Sequence, residues 1–186
     1  FALNGLRIAR RGVALLLRHK ARVDARDARG RSALHEAARA GHVEIMAALL
    51  EARADADARD ADGRSPLHEA AAGGHLAALE LLAGRADVHA VDAQGRSALH
   101  LASLGEGAAA PVVARLLELG VDPERADADG RRPVDHAAAG GRWALVAALD
   151  PAHPLPASVL GGDGETPPDR PPLEALRDQL AEGRFE

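Results

Sequence analysis

The chain has 186 residues and a formal charge of −5, with 47% hydrophobic residues but only 2% aromatic ones. That length suits one domain or a short repeat array with a tail, and a core made largely of alanine demands closely packed helices. The lack of cysteine excludes disulfides and thiolate zinc sites, the acidic balance weighs against general nucleic-acid binding, and no apolar run approaches the ~20 residues of a membrane helix.

The chain opens on Phe1 inside a pattern, and we read it as a piece of something longer. Leu16-Leu17 stands thirteen residues before Gly30, counted from the second leucine, and the same relation joins Leu49-Leu50 to Gly63, Leu81-Leu82 to Gly95 and Leu116-Leu117 to Gly130. The glycines are spaced 33, 32 and 35 residues apart, and each is followed by one phrase in variant form: RSALH, RSPLH, RSALH and RRPVD. This phase gives units at 1–26, 27–59, 60–91, 92–126 and 127–150, the first incomplete. A fixed period of this length signals a repeat architecture.

Within each unit the same signals start and stop two helices. Ser32, Ser65 and Ser97 are N-cap residues, with alanine or proline at the first helical position and, twice, a glutamate in the first turn. Gly41 and Gly73-Gly74 end those helices after about two turns. In the stretch after Gly41, Val43, Ile45, Met46, Leu49 and Leu50 form an apolar face at helical spacing, so a second helix follows. Neither helix is long enough to stand alone, and stacking against neighbours supplies the missing burial.

The phrases SALHEA, SPLHEA and SALHLA, at this period and with these leucines, resemble the ankyrin repeat signature. The resemblance covers roughly residues 1–150. It implies an all-α ankyrin-repeat solenoid of about 4–5 helix-turn-helix units joined by β-turn or hairpin loops, serving protein–protein interaction without catalysis. The family usually has glycine after the outer helix, whereas Lys20, Arg53 and Arg85 stand here and only Gly120 conforms. In the left-handed conformation each would cost up to roughly 1 kcal/mol against glycine. The third unit is one residue short in its second helix. The fourth carries two extra residues before Pro111, which suits the first turn of its outer helix. The fifth looks terminal: Asp135 takes the histidine position, Asp150 replaces the second leucine, Pro151 blocks continuation, and Trp143 reads as core.

The histidines invite a catalytic reading that the spacing rejects. A zinc helix of the His-Glu-x-x-His type needs its second histidine one turn on, but Arg39 and Ala72 stand there after His35 and His68. Pairs such as Ser65 and His68 recur in three units, unlike a single nucleophilic site. The resemblance implies instead that His35, His68 and His100 bond their serine and the adjacent turn backbone, and His42 and His75 read as structural too. No catalytic residue, cofactor or metal site is expected.

Positions that stacking leaves free are the better candidates. The resemblance places partner contacts at turn tips and on the exposed face of the inner helices. Carried from Asp27, Asp60, Asp92 and Asp127, these include Arg29, Arg31, Arg39, Asp62, Arg64, Gln94, Arg96, Ser103, Leu104, Asp129 and Arg131. Arg31, Arg64, Arg96 and Arg131 recur at one position as a ladder. They read either as a basic stripe for a carboxylate-rich partner or as a solvated face neutralised by Asp62 and Asp129.

Residues 151–172 hold seven of the eleven prolines and read as a linker; Leu173, Leu176 and Leu180 then mark an amphipathic helix in 173–186 that docks back or begins another domain. The expected partner is a protein, with an acidic contact segment where the ladder is the interface, bound by a monomer in the cytoplasm with neither membrane nor nucleic acid involved. The alternatives are a regulatory or inhibitory domain attached to an enzyme outside this sequence, and a nucleic-acid binder using the arginine ladder. A single lysine, Lys20, among 23 lysines and arginines hints at a GC-rich bacterial source.

Overall fold

The computed structural model describes residues 22–105 and 109–153. Residues 1–21 of the first unit, the proline-rich linker beyond His153 and the amphipathic segment 173–186 therefore lie outside the described residues. Within them run eight helices: α1 (Ala33–Arg39), α2 (Val43–Glu51), α3 (Pro66–Ala72), α4 (Leu76–Ala83), α5 (Ala98–Leu104), α6 (Ala109–Glu118), α7 (Pro133–Ala139) and α8 (Trp143–Leu149). Each odd-numbered helix pairs with the next even one. The odd helices also pack in a row, α1 on α3 on α5 on α7, and the even helices form a second row beside it.

The starts follow the sequence signals. Ser32, Ser65 and Ser97 are the N-caps of α1, α3 and α5, each in extended conformation, and Pro66 opens α3. The ends of α1, α3 and α7 are closed by a left-handed glycine: Gly41, Gly74 and Gly141 have φ near 68°, 69° and 67°. The next residue's N–H reaches back to the last turn, His42 to the Ala37 carbonyl at 2.9 Å, His75 to Ala70 at 3.0 Å and Arg142 to Ala137 at 2.9 Å. This 6→1 bond satisfies a carbonyl that the helix itself leaves unpaired and turns the chain into the outer helix.

One core runs the length of the stack. Leu34, Leu67 and Leu99, the leucines of the repeated phrase, are fully buried, and Val134 takes their place in α7. Met46, Leu79, Leu82, Val112, Val113, Leu116 and Val146 cover them from the outer row, with Trp143 packed at the edge. Alanines between the leucines let helices of only seven to ten residues approach closely.

The departures from regularity each have a local cause. Arg53 is left-handed, with φ 65°, and the Ala54 N–H closes on the Leu49 carbonyl at 2.9 Å just as Val121 closes on Leu116 at 3.1 Å after Gly120. Arg85 escapes the strain expected of it. Among the described residues Arg53 is the one non-glycine residue with positive φ. The outer helix α4 is a residue shorter than α2, Gly84 caps it, and both Arg85 and Ala86 donate to the Leu82 carbonyl at 2.8 Å. In the fourth unit Gly105 leaves α5 in extended conformation and passes so close to α3 that a Cβ there would overlap the Ala72 carbonyl. Pro111 lies in the first turn of α6.

Candidate functional site

The turn before each inner helix is built around one aspartate. The Asp27 N–H donates to the Arg31 carbonyl at 3.0 Å and the Gly30 N–H to the Asp27 carbonyl at 2.9 Å, while Asp27 Oδ1 accepts from the Arg29 and Arg31 N–H groups at 2.9 Å. The same pattern recurs with Oδ1 of Asp60, Asp92 and Asp127. It projects the third residue of the turn outward, and Arg29, Asp62, Gln94 and Asp129 are all exposed. Successive turns are joined through the backbone: Ala61 donates to the Arg29 carbonyl at 2.9 Å, Ala93 to Asp62 at 2.9 Å and Ala128 to Gln94 at 2.8 Å.

Behind the turns, the repeated histidines join one unit to the next. His35 Nδ1 accepts from the Ser32 N–H at 3.1 Å, and its Nε2 lies 3.0 Å from the Arg64 carbonyl. His68 links the Ser65 N–H to the Arg96 carbonyl at 3.2 and 3.3 Å, and His100 links Ser97 to Arg131 at 3.1 Å on each side. An N–H donor at Nδ1 and a carbonyl at Nε2 fix the neutral tautomer with its proton on Nε2. Burial reinforces this, pushing His68 down to about 4 with help from the Arg59 charge, and lowering His100 as well. Three Ser–His pairs that resemble catalytic machinery are thus helix caps with an arm to the neighbouring unit.

A second tie lies outside the repeated phrase. Arg26 and Arg59, the residues before two of the leading aspartates, each span two carbonyls. Arg59 Nη1 donates to Gly63 at 2.9 Å and to Val91 of the next unit at 2.8 Å, and Arg26 bonds Gly30 and Arg59 in the same way. Their recurrence 33 residues apart was the available signal. His75 Nε2 also meets the Arg39 carbonyl of the preceding unit at 3.0 Å.

The arginine ladder does not form a uniform basic stripe. Arg31 holds Asp27 Oδ2 through Nε and Nη2 at 3.2 and 3.0 Å, and its Nη1 pairs with Glu36 at 2.6 Å. Glu36 also pairs with Arg39 at 3.0 Å. Hydrogen bonds from the Arg31 backbone and side chain hold the Asp27 carboxyl below its ordinary range and raise Arg31 in turn. Arg96 grips Asp92 Oδ2 at 2.8 Å through Nε and 2.7 Å through Nη2, with Gln94 Oε1 at 3.0 Å. Burial alone would raise the inaccessible Asp92 carboxyl, but the Arg96 bonds outweigh it and lower it. Arg64 is less well held: Glu69 lies at 3.6 Å, Asp92 at 3.9 Å, and its Nε is buried without a hydrogen-bond partner. The expected neutralising residues were the wrong ones. Asp62 and Asp129 donate their N–H groups to the leading aspartates and make no ion pair with the ladder among the described residues.

The fifth turn differs. Asp127 Oδ2 accepts from His136 Nε2 at 2.7 Å, and that bond, with the turn N–H groups, overcomes burial to bring the carboxyl down to about 2. The His136 ring also meets His100 edge-on, with centroids 5.7 Å apart. Arg131 is left exposed and, among the described residues, without an ion pair. Asp135, standing where the other units have histidine, accepts from the Arg132 N–H at 2.8 Å and so keeps the cap without the arm.

Two candidates in α5 separate. Leu104 is 45% exposed and is the one large hydrophobic side chain so exposed among the described residues. Ser103 contradicts its placement on the open face: it is buried, with its hydroxyl unpaired. Counted from the leading aspartate, Ser103 stands where Ala38 and Ala71 are buried, and Leu104 is the counterpart of exposed Arg39. One residue along a helix is a rotation of about 100°.

Among the described residues no group of three or more His, Asp or Glu side chains is arranged to hold a metal ion, and no helix is long and apolar enough to cross a membrane. No curated protein matches the chain. A family model of ankyrin repeats in three copies matches residues 6–92. The aspartate-centred turns, the capped inner helices and the histidine arms of those units agree with it, and over residues 6–92 the chain is similar to the ankyrin repeat family.

Proposed function

We propose that the chain is a non-catalytic recognition module, a solenoid of four to five ankyrin units that binds a protein partner on the side bearing the turns and the open face of the inner helices. Ankyrin repeats are generally protein-interaction modules. The observation that carries the reading to this face is a division of labour. The turn aspartates and the repeated serines are engaged in shaping their own units, and the repeated histidines, Arg26 and Arg59 in tying one unit to the next. Arg29, Arg39, Asp62, Gln94, Leu104, Asp129 and Arg131 remain exposed. Ser103 leaves the set, and Arg31 and Arg96 act in it mainly as ion-paired supports.

The reading is tested by reversing or replacing the four turn-tip side chains together, Arg29→Glu, Asp62→Arg, Gln94→Glu and Asp129→Arg. A control set changes four exposed outer-helix positions, Glu44→Gln, Glu51→Gln, Glu80→Gln and Glu118→Gln. Cross-linking in the source cells with mass spectrometry then compares both with the parent chain. Loss of the cross-linked partner in the first set alone, with unchanged thermal unfolding, supports the reading. Loss in the second set alone contradicts it.

A further inference from the structure

The four ladder arginines are equivalent in sequence but not in what they can still do. In the second and fourth units, Oδ2 of the turn aspartate holds the arginine four residues on, Asp27 with Arg31 and Asp92 with Arg96. In the third unit the arginine leans on Glu69 and on Asp92 of the next unit. In the fifth, His136 occupies Asp127 Oδ2, and it does so from the helix position where the second and third units carry Glu36 and Glu69. A single change of residue type therefore removes two carboxylates from Arg131, by replacing one and engaging the other. Arg132 next to it is committed to Glu124 at 2.9 Å and Asp135 at 3.5 Å, and Asp129 projects from the turn tip without pairing Arg131.

Leu104 belongs to the same neighbourhood. The Arg131 carbonyl is bonded by His100 Nε2 at 3.1 Å, and Leu104 lies one turn of α5 beyond His100, a rise of about 6 Å. A guanidinium without an ion pair among the described residues and an exposed leucine within the span of a few extended residues are complementary to a carboxylate followed closely by an apolar side chain.

We infer that Arg131 and Leu104 form the anchoring point for an acidic peptide segment of a partner protein, one bearing an aliphatic or aromatic side chain near its carboxylate, and that His136 is a positioning residue that keeps Arg131 free. This rests on the open face being a partner surface. The guanidinium supplies a bidentate fork for the carboxylate, which an ion-paired Arg31 or Arg96 offers only after giving up its own partner.

Two measurements test it on the full chain. Brief treatment with phenylglyoxal, mapped by mass spectrometry, should modify Arg131 about fivefold faster than Arg31 or Arg96, because pairing protects a guanidinium. His136→Leu, which installs the residue that the fourth unit carries at Leu101, should let Asp127 recapture Arg131 and bring its rate down to that of Arg96; His136→Gln serves if that variant does not fold. Equal rates for all three arginines in the parent chain would overturn the positioning claim. Panning a random twelve-residue peptide display library should enrich sequences with Asp or Glu close to an apolar residue. Arg131→Gln and Leu104→Ala should each weaken the selected peptides about tenfold with thermal unfolding unchanged. Peptides that bind these variants normally but lose affinity with the turn-tip set overturn the anchor and leave the recognition face standing. No enrichment, or self-association of the chain through Leu104 instead, overturns the anchor as well.

Discussion

The joint between the second and third units and the joint between the fourth and fifth are made of different materials. At the first, the Arg59 guanidinium bridges to the Val91 carbonyl, Asp57 accepts from the Asp87 N–H, the turns bond through Ala61, His35 reaches the Arg64 carbonyl and His75 returns to Arg39. At the last, Ala126 stands at the bridging position and carries no guanidinium. What remains is the turn bond from Ala128, the His100 arm with its edge-on contact to the His136 ring, and a long contact from Arg142 Nη1 to the Ala102 carbonyl at 3.5 Å. The difference teaches that one repeat plan can be held redundantly in one place and sparsely in another. The side chains released from joining are the ones available for a partner.

Acid breaks the comparison most strongly. The folded His68 is lowered to about 4 against an ordinary 6.5, so the unfolded chain binds the proton more readily through that interval. Stability from this group is complete above pH 6.5 and declines as the pH falls towards 4, a loss of about 3 kcal/mol at 1.4 kcal/mol per pH unit. His100 is lowered too and acts in the same direction. The lowered carboxyls have their own window. Asp127, brought down to about 2, contributes fully above 3.8 and loses its contribution only between 3.8 and 2. Urea unfolding followed from pH 7 to pH 4 should show the histidine loss first. Hydrogen exchange at pH 5 should find protection falling earliest in residues 127–150, where the joint has fewest ties.

Removing a tie from the strong joints has a smaller effect. Arg59→Met keeps the apolar stem but leaves the Gly63 and Val91 carbonyls without their donor. The expected cost is about 1–2 kcal/mol by urea unfolding. If the cost is absent, the bridging arginines are ornaments and the two joints are alike.

The smallest effect separates two outer-helix ends. Arg53→Gly should gain about 1 kcal/mol, since it relieves a side chain held at positive φ, whereas Arg85→Gly, where φ is not positive, should gain nothing. Differential scanning calorimetry of the two single variants checks the sign of each.

The architecture was legible because stacking is written redundantly. Ser65, Pro66, Leu67 and His68 each carry a local signal, and their copies agree on N-cap, helix start, core and arm. The site was less legible. The ladder is regular as sequence, but pairing depends on which carboxylate lies within about 3 Å, and that is set by neighbours whose identities break the period, Glu36, Glu69, Leu101 and His136. Arg85 likewise escaped a left-handed turn because α4 is one residue shorter than α2, a difference in length that changes which carbonyl closes the helix. Ser103 shows the same limit: its neighbour Leu104 is the exposed one, and only the helix rotation tells them apart.

The central claim is that the ladder is structural where it is paired and free at the fifth unit. Urea unfolding of Arg96→Gln beside Arg131→Gln tests it most directly. Arg96→Gln leaves the inaccessible Asp92 carboxylate without its partner and should cost about 2–3 kcal/mol, while Arg131→Gln should stay within about 0.5 kcal/mol of the parent chain. Equal losses in the two variants, or a larger loss at Arg131, would contradict the account.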